Sequence, residues 1–250
     1  MMSQIQLSEK TALVTGSSQG LGRGIAKQLA ASGCRVVVNC AHGLEKAEQV
    51  AAEIEQAGGK AVVYGTDISD EDAVRRMFAE LGPVDILVNN ARVDPYFRKP
   101  EMTPGQWWNR VLSVNLTGAF LCSHYFMEQA KSRGWGRIVN ISSVRAFLPV
   151  DPNMPSYGAS KAGMHALSRY FAAQGAAFGV TANTIAPGMV ITENIDKRLT
   201  PEMKAAESAK IPVGRGASCE EIADAVLFVV NNAYVTGETI NINGGMYYAP

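Results

Sequence analysis

Apolar and polar positions follow two rhythms along this chain, and the two take turns from one end to the other. Short, β-branched apolar runs at residues 10–15, 35–38, 60–64, 84–88, 137–141, 180–185 and 239–242 read as strands. Between them the apolar spacing switches to helical. Leu21, Ile25 and Leu29 precede Gly33, and Ala47, Val50, Ala51 and Ile54 precede Gly58-Gly59. Val74, Met77, Phe78 and Leu81 mark a helix that starts after Ser69 with Glu71 and Asp72 in its first turn, and Ile222, Ala225, Val226 and Val229 mark another. Residues 103–132, with Trp107, Val111, Val114, Phe120 and Leu121, read as one long helix, and residues 156–178 as a second. Nearly continuous apolar strands separated by helices predict a seven-stranded parallel sheet, doubly wound, with helices on both faces. No linker, repeat or low-complexity stretch interrupts the pattern, so residues 1–250 read as a single α/β domain.

Composition narrows the partners. The chain is 47% hydrophobic and 18% charged with 24 glycines, as expected of a globular protein rich in tight turns. Formal charge is zero and no Lys/Arg run exceeds two, which excludes an electrostatic footprint for nucleic acid or an anionic membrane. The first residues carry no basic stretch followed by an apolar one, and no run of about 18 apolar residues occurs, so a cytoplasmic protein is expected. Cys34, Cys40, Cys122 and Cys219 are scattered, and His42, His124 and His165 lack ligand spacing; no metal site and no disulfide is expected.

Two stretches carry candidate chemistry. Gly16-Ser17-Ser18-Gln19-Gly20-Leu21-Gly22 joins the first strand to the first helix, where backbone amides of a helix N-terminus face an anion and glycines let a diphosphate approach. The spacing lacks the Gly-Lys-Ser/Thr ending of a nucleotide-triphosphate loop. Farther on, Tyr157 and Lys161 stand four apart on a predicted helix, so phenol and ammonium share a face, with Ser143 shortly before them. A fixed cation beside a phenol favours the phenolate, which makes the pair a candidate proton donor and acceptor.

Thr15 to Gly22, Asn89-Asn90-Ala91, Asn115, Ser143, Tyr157/Lys161 and Pro187-Gly188 stand in the order of the short-chain dehydrogenase/reductase family, and the resemblance runs from about residue 8 to residue 246. The pattern is closest to 3-oxoacyl-acyl-carrier-protein-reductase-like and glucose-dehydrogenase-like members. The resemblance implies a Rossmann fold and an NAD(P)(H)-dependent oxidoreductase interconverting a secondary alcohol and a ketone. It makes Tyr157 the general acid or base, Lys161 its cationic partner and a ribose ligand, Ser143 the donor to the substrate oxygen, and Asn115 the anchor of a proton-relaying water. Ser142 is set aside, because neighbours at a strand end point opposite ways.

The same resemblance implies a cofactor shell of Gly16, Ser17, Ser18, Gln19, Gly20, Leu21, Gly22, Asn39, His42, Asp67, Ile68, Asn89, Asn90, Ala91, Tyr157, Lys161, Pro187, Gly188, Val190 and Thr192. Neutral Asn39 stands where an Asp would select NAD, so NADP(H) is favoured over NAD(H), with Ser17, Ser18, Asn39 and His42 as phosphate donors. The chain departs from the family at Arg92, which replaces the glycine of Asn-Asn-Ala-Gly. Arg92 either pairs outward with Asp94 or enters the pocket, where Arg145 and Arg98 can join it and hold a substrate carboxylate. Substrate-binding candidates are thus Arg92, Ser143, Arg145, Met154 and Tyr157, with Phe147 and Leu148 as further wall.

Substrate choice falls to residues 92–101, 144–155 and 189–212, the last expected to form a mobile lid. Alternatives are 3-oxoacyl-acyl-carrier-protein reduction and a sugar or polyol dehydrogenase; a cofactor-sensing regulator is the non-enzymatic one. An acyl carrier protein is admitted as partner but disfavoured, because Phe178 replaces a basic residue in an uncharged stretch at 170–178. That stretch suits subunit packing and, by the resemblance, a homotetramer built as a dimer of dimers.

Overall fold

The computed structural model describes residues 6–96, 98–148 and 154–248. The expected specificity segments 92–101 and 144–155 each include residues outside that set.

Seven parallel strands form one sheet in the order β3-β2-β1-β4-β5-β6-β7. They are β1 (Thr11–Val14), β2 (Arg35–Cys40), β3 (Lys60–Gly65), β4 (Ile86–Asn89), β5 (Gly136–Ile141), β6 (Val180–Pro187) and β7 (Thr239–Ile242). Because successive side chains point to opposite faces, each apolar strand feeds two cores. Ala12, Val14, Val36, Val38, Ile86 and Val88 pack on one face against α1 (Gly20–Ala31), α2 (Leu44–Gln56) and α9 (Cys219–Asn231). Leu13, Val37, Leu87 and Ile138 pack on the other against α3 (Glu71–Leu81), α5 (Ala119–Arg133) and α6 (Pro155–Gly175). Among the described residues no helix is long and apolar enough to cross a membrane.

Strand order reverses at β1, which pairs with both β2 and β4 and aligns Val14 with Val38 and Val88. The loops after β1 and β4 therefore leave the sheet in opposite directions and open a crevice at the strand C-termini. The glycine loop, Ser143, Tyr157 and Lys161 all border this crevice.

Two helices differ from their expected form. The long helix begins at α4 (Pro104–Leu112), capped reciprocally by Thr103 and Gln106, but residues Ser113–Gly118 are π-helical before α5 resumes. A Cβ on Gly118 would lie 2.7 Å from Ile68, so this wider turn sits tightly against the loop after β3. Asn115 is in its middle, and π-turns of this kind often mark functional positions. The second long helix, α6, ends at Gly175 and passes through a 3₁₀ turn at Ala176–Phe178, where a Cβ on Gly175 would meet Val180 at 2.9 Å. The segment 189–212 contains two short helices, α7 (Glu193–Arg198) and α8 (Pro201–Ser208), capped by Thr192 and Thr200. Asp70 caps α3.

Candidate active site

A single cleft of about 1450 Å³ runs along the C-terminal edge of the sheet, from the glycine loop to α8. That is room for an extended dinucleotide and a small substrate together. Its floor is tied down by side-chain bonds. Thr15 Oγ1 accepts from the amides of Asn90 and Ala91 at 3.0 Å, and Asn90 Nδ2 donates to the carbonyls of Thr15 and Gly16 at 2.9 and 3.0 Å. β1 and β4 are thereby stitched together where their loops diverge.

The glycine loop owes its shape to close approach. A Cβ on Gly16, whose φ is 63°, would come within 2.8 Å of Ala91 Cα, and one on Gly22 within 2.4 Å of the Gly16 carbonyl. Gly20 faces the cleft instead, where an added Cβ would meet nothing nearer than Thr192 at 3.7 Å. Its amide donates to the carboxylate of Glu193 at 3.2 Å, so an anion already sits where a helix N-terminus favours one. An open glycine, an anion-holding amide and a cleft of this size fit a dinucleotide. Ser18, Gln19, Leu21, His42, Asp67, Ile68, Pro187, Gly188, Val190 and Thr192 line the same cleft. Asp67 accepts from the amide and hydroxyl of Ser69 at 2.9 and 2.7 Å and faces Arg110.

Three expected cofactor residues have their side chains engaged within the protein. Ser17 is fully buried, its hydroxyl donating to the Val14 carbonyl and accepting from the Asn39 amide, so it has no proton to offer a phosphate. Asn39 borders the cleft, but its Nδ2 donates to the carbonyls of Tyr64 and Thr66 and its Oδ1 accepts from the Gly16 amide. It braces the loop and is not a free phosphate donor. Asn89 points away, donating to Ser123 and Asn140 at 2.9 and 2.8 Å. Lys46, which the sequence pattern did not single out, places its Nζ 3.3 Å from Gln19 Oε1 beside the cleft.

Ser143, Tyr157 and Lys161 line the middle of the cleft together. Ser143 caps the 3₁₀ turn Val144–Ala146, its Oγ accepting from the Arg145 amide at 3.2 Å, which leaves the hydroxyl proton free to donate. Ser142 is turned the other way, onto the Lys161 carbonyl and His165 Nε2 at 2.9 and 2.8 Å. Lys161 is 1% exposed, and its Nζ donates to the Ile141 carbonyl at 2.6 Å and stands 5.7 Å from the Tyr157 ring centre. Burial, and then the positive charge of Arg92, lowers its pKa to about 7. Burial likewise lowers His165 to about 4, so this histidine is neutral. Asn115 Oδ1 accepts from the Val93 amide at 2.8 Å and its Nδ2 donates to Ser160 Oγ at 3.3 Å. Its side chain thus ties the loop after Arg92 to α6.

Behind these residues lies a buried polar row absent from the sequence reading. Asn140 receives the bond from Asn89 and donates to Ser168, which shares a 2.6 Å bond with Thr184. The row crosses β4, β5 and β6 and fastens α6, the carrier of Tyr157 and Lys161, to the sheet.

Of the expected substrate wall, Arg92, Arg145, Leu148 and Met154 border the cleft. Arg92 pairs with Asp94 at 3.5 Å while remaining on the cleft wall. Asp94 also faces Arg198 of α7, and Arg198 lies over the Tyr96 ring at 4.2 Å. Arg145 Nη1 is buried without a hydrogen-bond partner. Arg98 does not join them: it bonds to the Met102 carbonyl. Phe147 is also turned away, stacked on Tyr247 and tilted against His165. Near the end of α6, Lys131 stands over the Phe178 ring at 5.6 Å, so a cation from α5 does occupy the region that looked uncharged in sequence.

A glycine loop at the switch point of a parallel sheet, with a serine, a tyrosine and a lysine beside it, defines a dinucleotide-dependent oxidoreductase. The chain belongs to the short chain dehydrogenase family, which it matches over residues 10–203. It is 42% identical to an acetoacetyl-CoA reductase of Rhizobium meliloti, across 96% of this chain and 99% of that one. Its fold is similar to that of a 3-oxoacyl-[acyl-carrier protein] reductase from Brucella melitensis (TM-score 0.89, 29% identity, 99% and 95% of the two chains). It is similar also to a gluconate 5-dehydrogenase from Burkholderia cenocepacia in complex with NADP and tartrate (TM-score 0.86, 30% identity, 98% of each chain). The chain is accordingly an NAD(P)(H)-dependent enzyme that interconverts a secondary alcohol and a ketone.

Proposed function

We propose that the substrate is a small ketone, or the matching secondary alcohol, bearing a carboxylate close to the reacting carbon, and that NADP(H) is preferred over NAD(H). The observation that carries this reading is Arg145, which borders the cleft two residues beyond Ser143 and whose Nη1 is buried with no hydrogen-bond partner. A buried guanidinium donor left unpaired costs free energy that a substrate carboxylate would recover. Arg92, loosely held by Asp94, supplies a second charge on the same wall. The relative solved with tartrate, a dicarboxylate, and NADP supports both halves of the reading.

In reduction, Ser143 donates to the substrate oxygen and fixes it, and Tyr157 gives that oxygen its proton. Lys161 holds positive charge below the phenol, easing loss of that proton; in oxidation the same proton returns to Tyr157. The nicotinamide, when bound, supplies or accepts the hydride. Replacing Arg145 with Gln is expected to raise KM for a keto acid about tenfold to a hundredfold and to leave KM for its methyl ester nearly unchanged. Equal effects on acid and ester would remove the carboxylate from the reading.

The NADP preference is supported by the neutral end of β2 and by Ser18, His42 and Lys46 beside the adenosine end of the cleft. Lys46→Ala should cut kcat/KM for NADP about tenfold with little change for NAD, since only the former carries the extra phosphate. Parallel assays with both dinucleotides measure this directly, and equal efficiency in the wild type would end the preference.

A second reading, reduction of a 3-oxoacyl thioester, is supported by the 42% identity to an acetoacetyl-CoA reductase. One spectrophotometric screen over keto acids, sugar acids and acetoacetyl thioesters separates the two. The reading includes a cytoplasmic homotetramer, supported by the exposed Phe120, Tyr170 and Phe178 on neighbouring helices. Sedimentation analysis measures the assembly, and a monomer would contradict it.

A further inference from the structure

We propose that Glu193 is an internal anion competing with the cofactor's diphosphate for the first turn of α1, and that it thereby sets how tightly the dinucleotide is held. The inference rests on the cleft being a dinucleotide site.

α1 is an open N-terminus. Its cap residue Gln19 makes no side-chain cap bond, and its first turn contains no acidic residue. The orphan amides of such a turn need an acceptor, and the end of the helix dipole favours a negative one. At Gly20 that acceptor is Glu193, the first residue of α7, whose Oε2 takes the amide at 3.2 Å. Its other oxygen takes a bond from Arg23 Nη1 at 2.6 Å.

Arg23 spans two carboxylates, Glu193 and Glu53. Its Nε and Nη2 already donate to Glu53 at 2.7 to 3.2 Å, and Lys27 meets the same Glu53 at 3.1 Å. Arg23, Lys27 and Glu53 alone leave one positive charge, and Glu193 offsets it. Glu193 also adds a negative charge on the glycine-loop amide, delivered by the segment that rims the cleft. Thr192, its neighbour, lies against Gly20 and lines the cleft. The groups facing the Glu193 carboxylate are therefore the Gly20 amide, Arg23 and, more distantly, the Cys219 thiol of α9.

A diphosphate approaching that turn meets an anion already in place. It must displace the carboxylate or bind beside a like charge, and either lowers affinity. Release of the cofactor is eased by the same contact, because the departing diphosphate leaves an amide that Glu193 can reclaim. The opposite role is also physically definable: a tether that holds α7 closed over the cofactor, whose loss would weaken binding.

The test is Glu193→Gln in the full-length protein, an exposed change that keeps the side-chain length. Binding of ADP, NADPH and adenosine is titrated by calorimetry, and NADPH dissociation is followed by stopped-flow fluorescence. The expected result is about three- to tenfold tighter ADP and NADPH, with slower NADPH release and a gain that shrinks as salt is raised. Adenosine, which has no phosphate, should bind both proteins alike. Unchanged or weaker ADP binding in the variant, or an equal gain for adenosine, would overturn the proposal. Failure of the wild type to bind either ADP or NADPH would instead overturn the dinucleotide reading beneath it.

Discussion

Tyr157→Phe is expected to lower turnover by at least about 10²-fold while NADPH binds with nearly wild-type affinity. The phenylalanine keeps the ring, and with it the packing of a residue that is 9% exposed at the start of α6. Only the hydroxyl is lost. Ser143 sits on the same cleft wall, but its oxygen is fixed as the acceptor of the Arg145 amide, and a serine hydroxyl is far too weak an acid to replace a phenol. His165, the nearest ordinary proton carrier, is neutral and turned onto Ser142 on the far side. Lys161 is left with a carbonyl and a thioether as neighbours. Among the described residues no other group in the cleft is placed to take over the proton. Steady-state kinetics beside NADPH titration measures both halves. Turnover within a fewfold of wild type would mean that Tyr157 is not the proton carrier, and a cofactor-sensing regulator would show no functional loss at all.

The sheet was legible from the chain because strands covered on both faces are largely apolar: β1, β2 and β4 are buried almost throughout, whereas β3 and β7 at the edges are half-buried and β5 and β6 carry polar residues among their apolar ones. Tyr157, Lys161 and Ser143 were legible for a related reason: i and i+4 on a helix, and a serine at a strand end, are local geometry. The donors expected from the ends of β1 and β2 were not. Ser17 and Asn39 look in sequence like free polar groups beside a ribose, yet the backbone of the glycine loop and the end of β3 use both of them. Apart from Val14, three residues before Ser17, their partners lie 22 to 27 residues away, beyond what spacing can display. A signal for the buried polar row was present and passed unread. Asn140 and Thr184 are among the polar residues of the buried strands β5 and β6, and a polar residue in a doubly covered strand needs a partner. Arg92 posed a false choice, since pairing with Asp94 and facing the cleft are compatible. Lys46 and Glu193 come from a neighbouring helix and from the far rim, and only the fold brings them to the glycine loop.

Replacing Lys161 with Met should move activity and stability in opposite directions. The side chain is fully buried and its burial, with Arg92 nearby, holds its pKa at about 7 against an ordinary value of 10.5. The sign follows from proton binding. Between those two values the unfolded chain binds a proton that the folded chain does not, so folding is opposed there. The penalty is fully present below about pH 7, where the folded state must carry a buried charge, and it fades as pH rises toward 10.5. Methionine fills nearly the same length without a charge and without that penalty. The variant is expected to melt about 5 °C above wild type at pH 6, with the gap closing toward pH 10. Its kcat/KM should fall at least about 10²-fold, because the proton on Tyr157 loses the cation that eases its departure. Differential scanning calorimetry across this pH range is decisive. A gap independent of pH would mean that the buried ammonium is not what destabilises the free enzyme. A lower melting temperature at every pH would mean that the bond from Nζ to the Ile141 carbonyl outweighs the cost of burying the amine. If the predicted pattern is found, Lys161 opposes the folding of the free protein for the sake of the charge it brings to Tyr157, and a bound dinucleotide that gave the ammonium further acceptors would reduce that opposition.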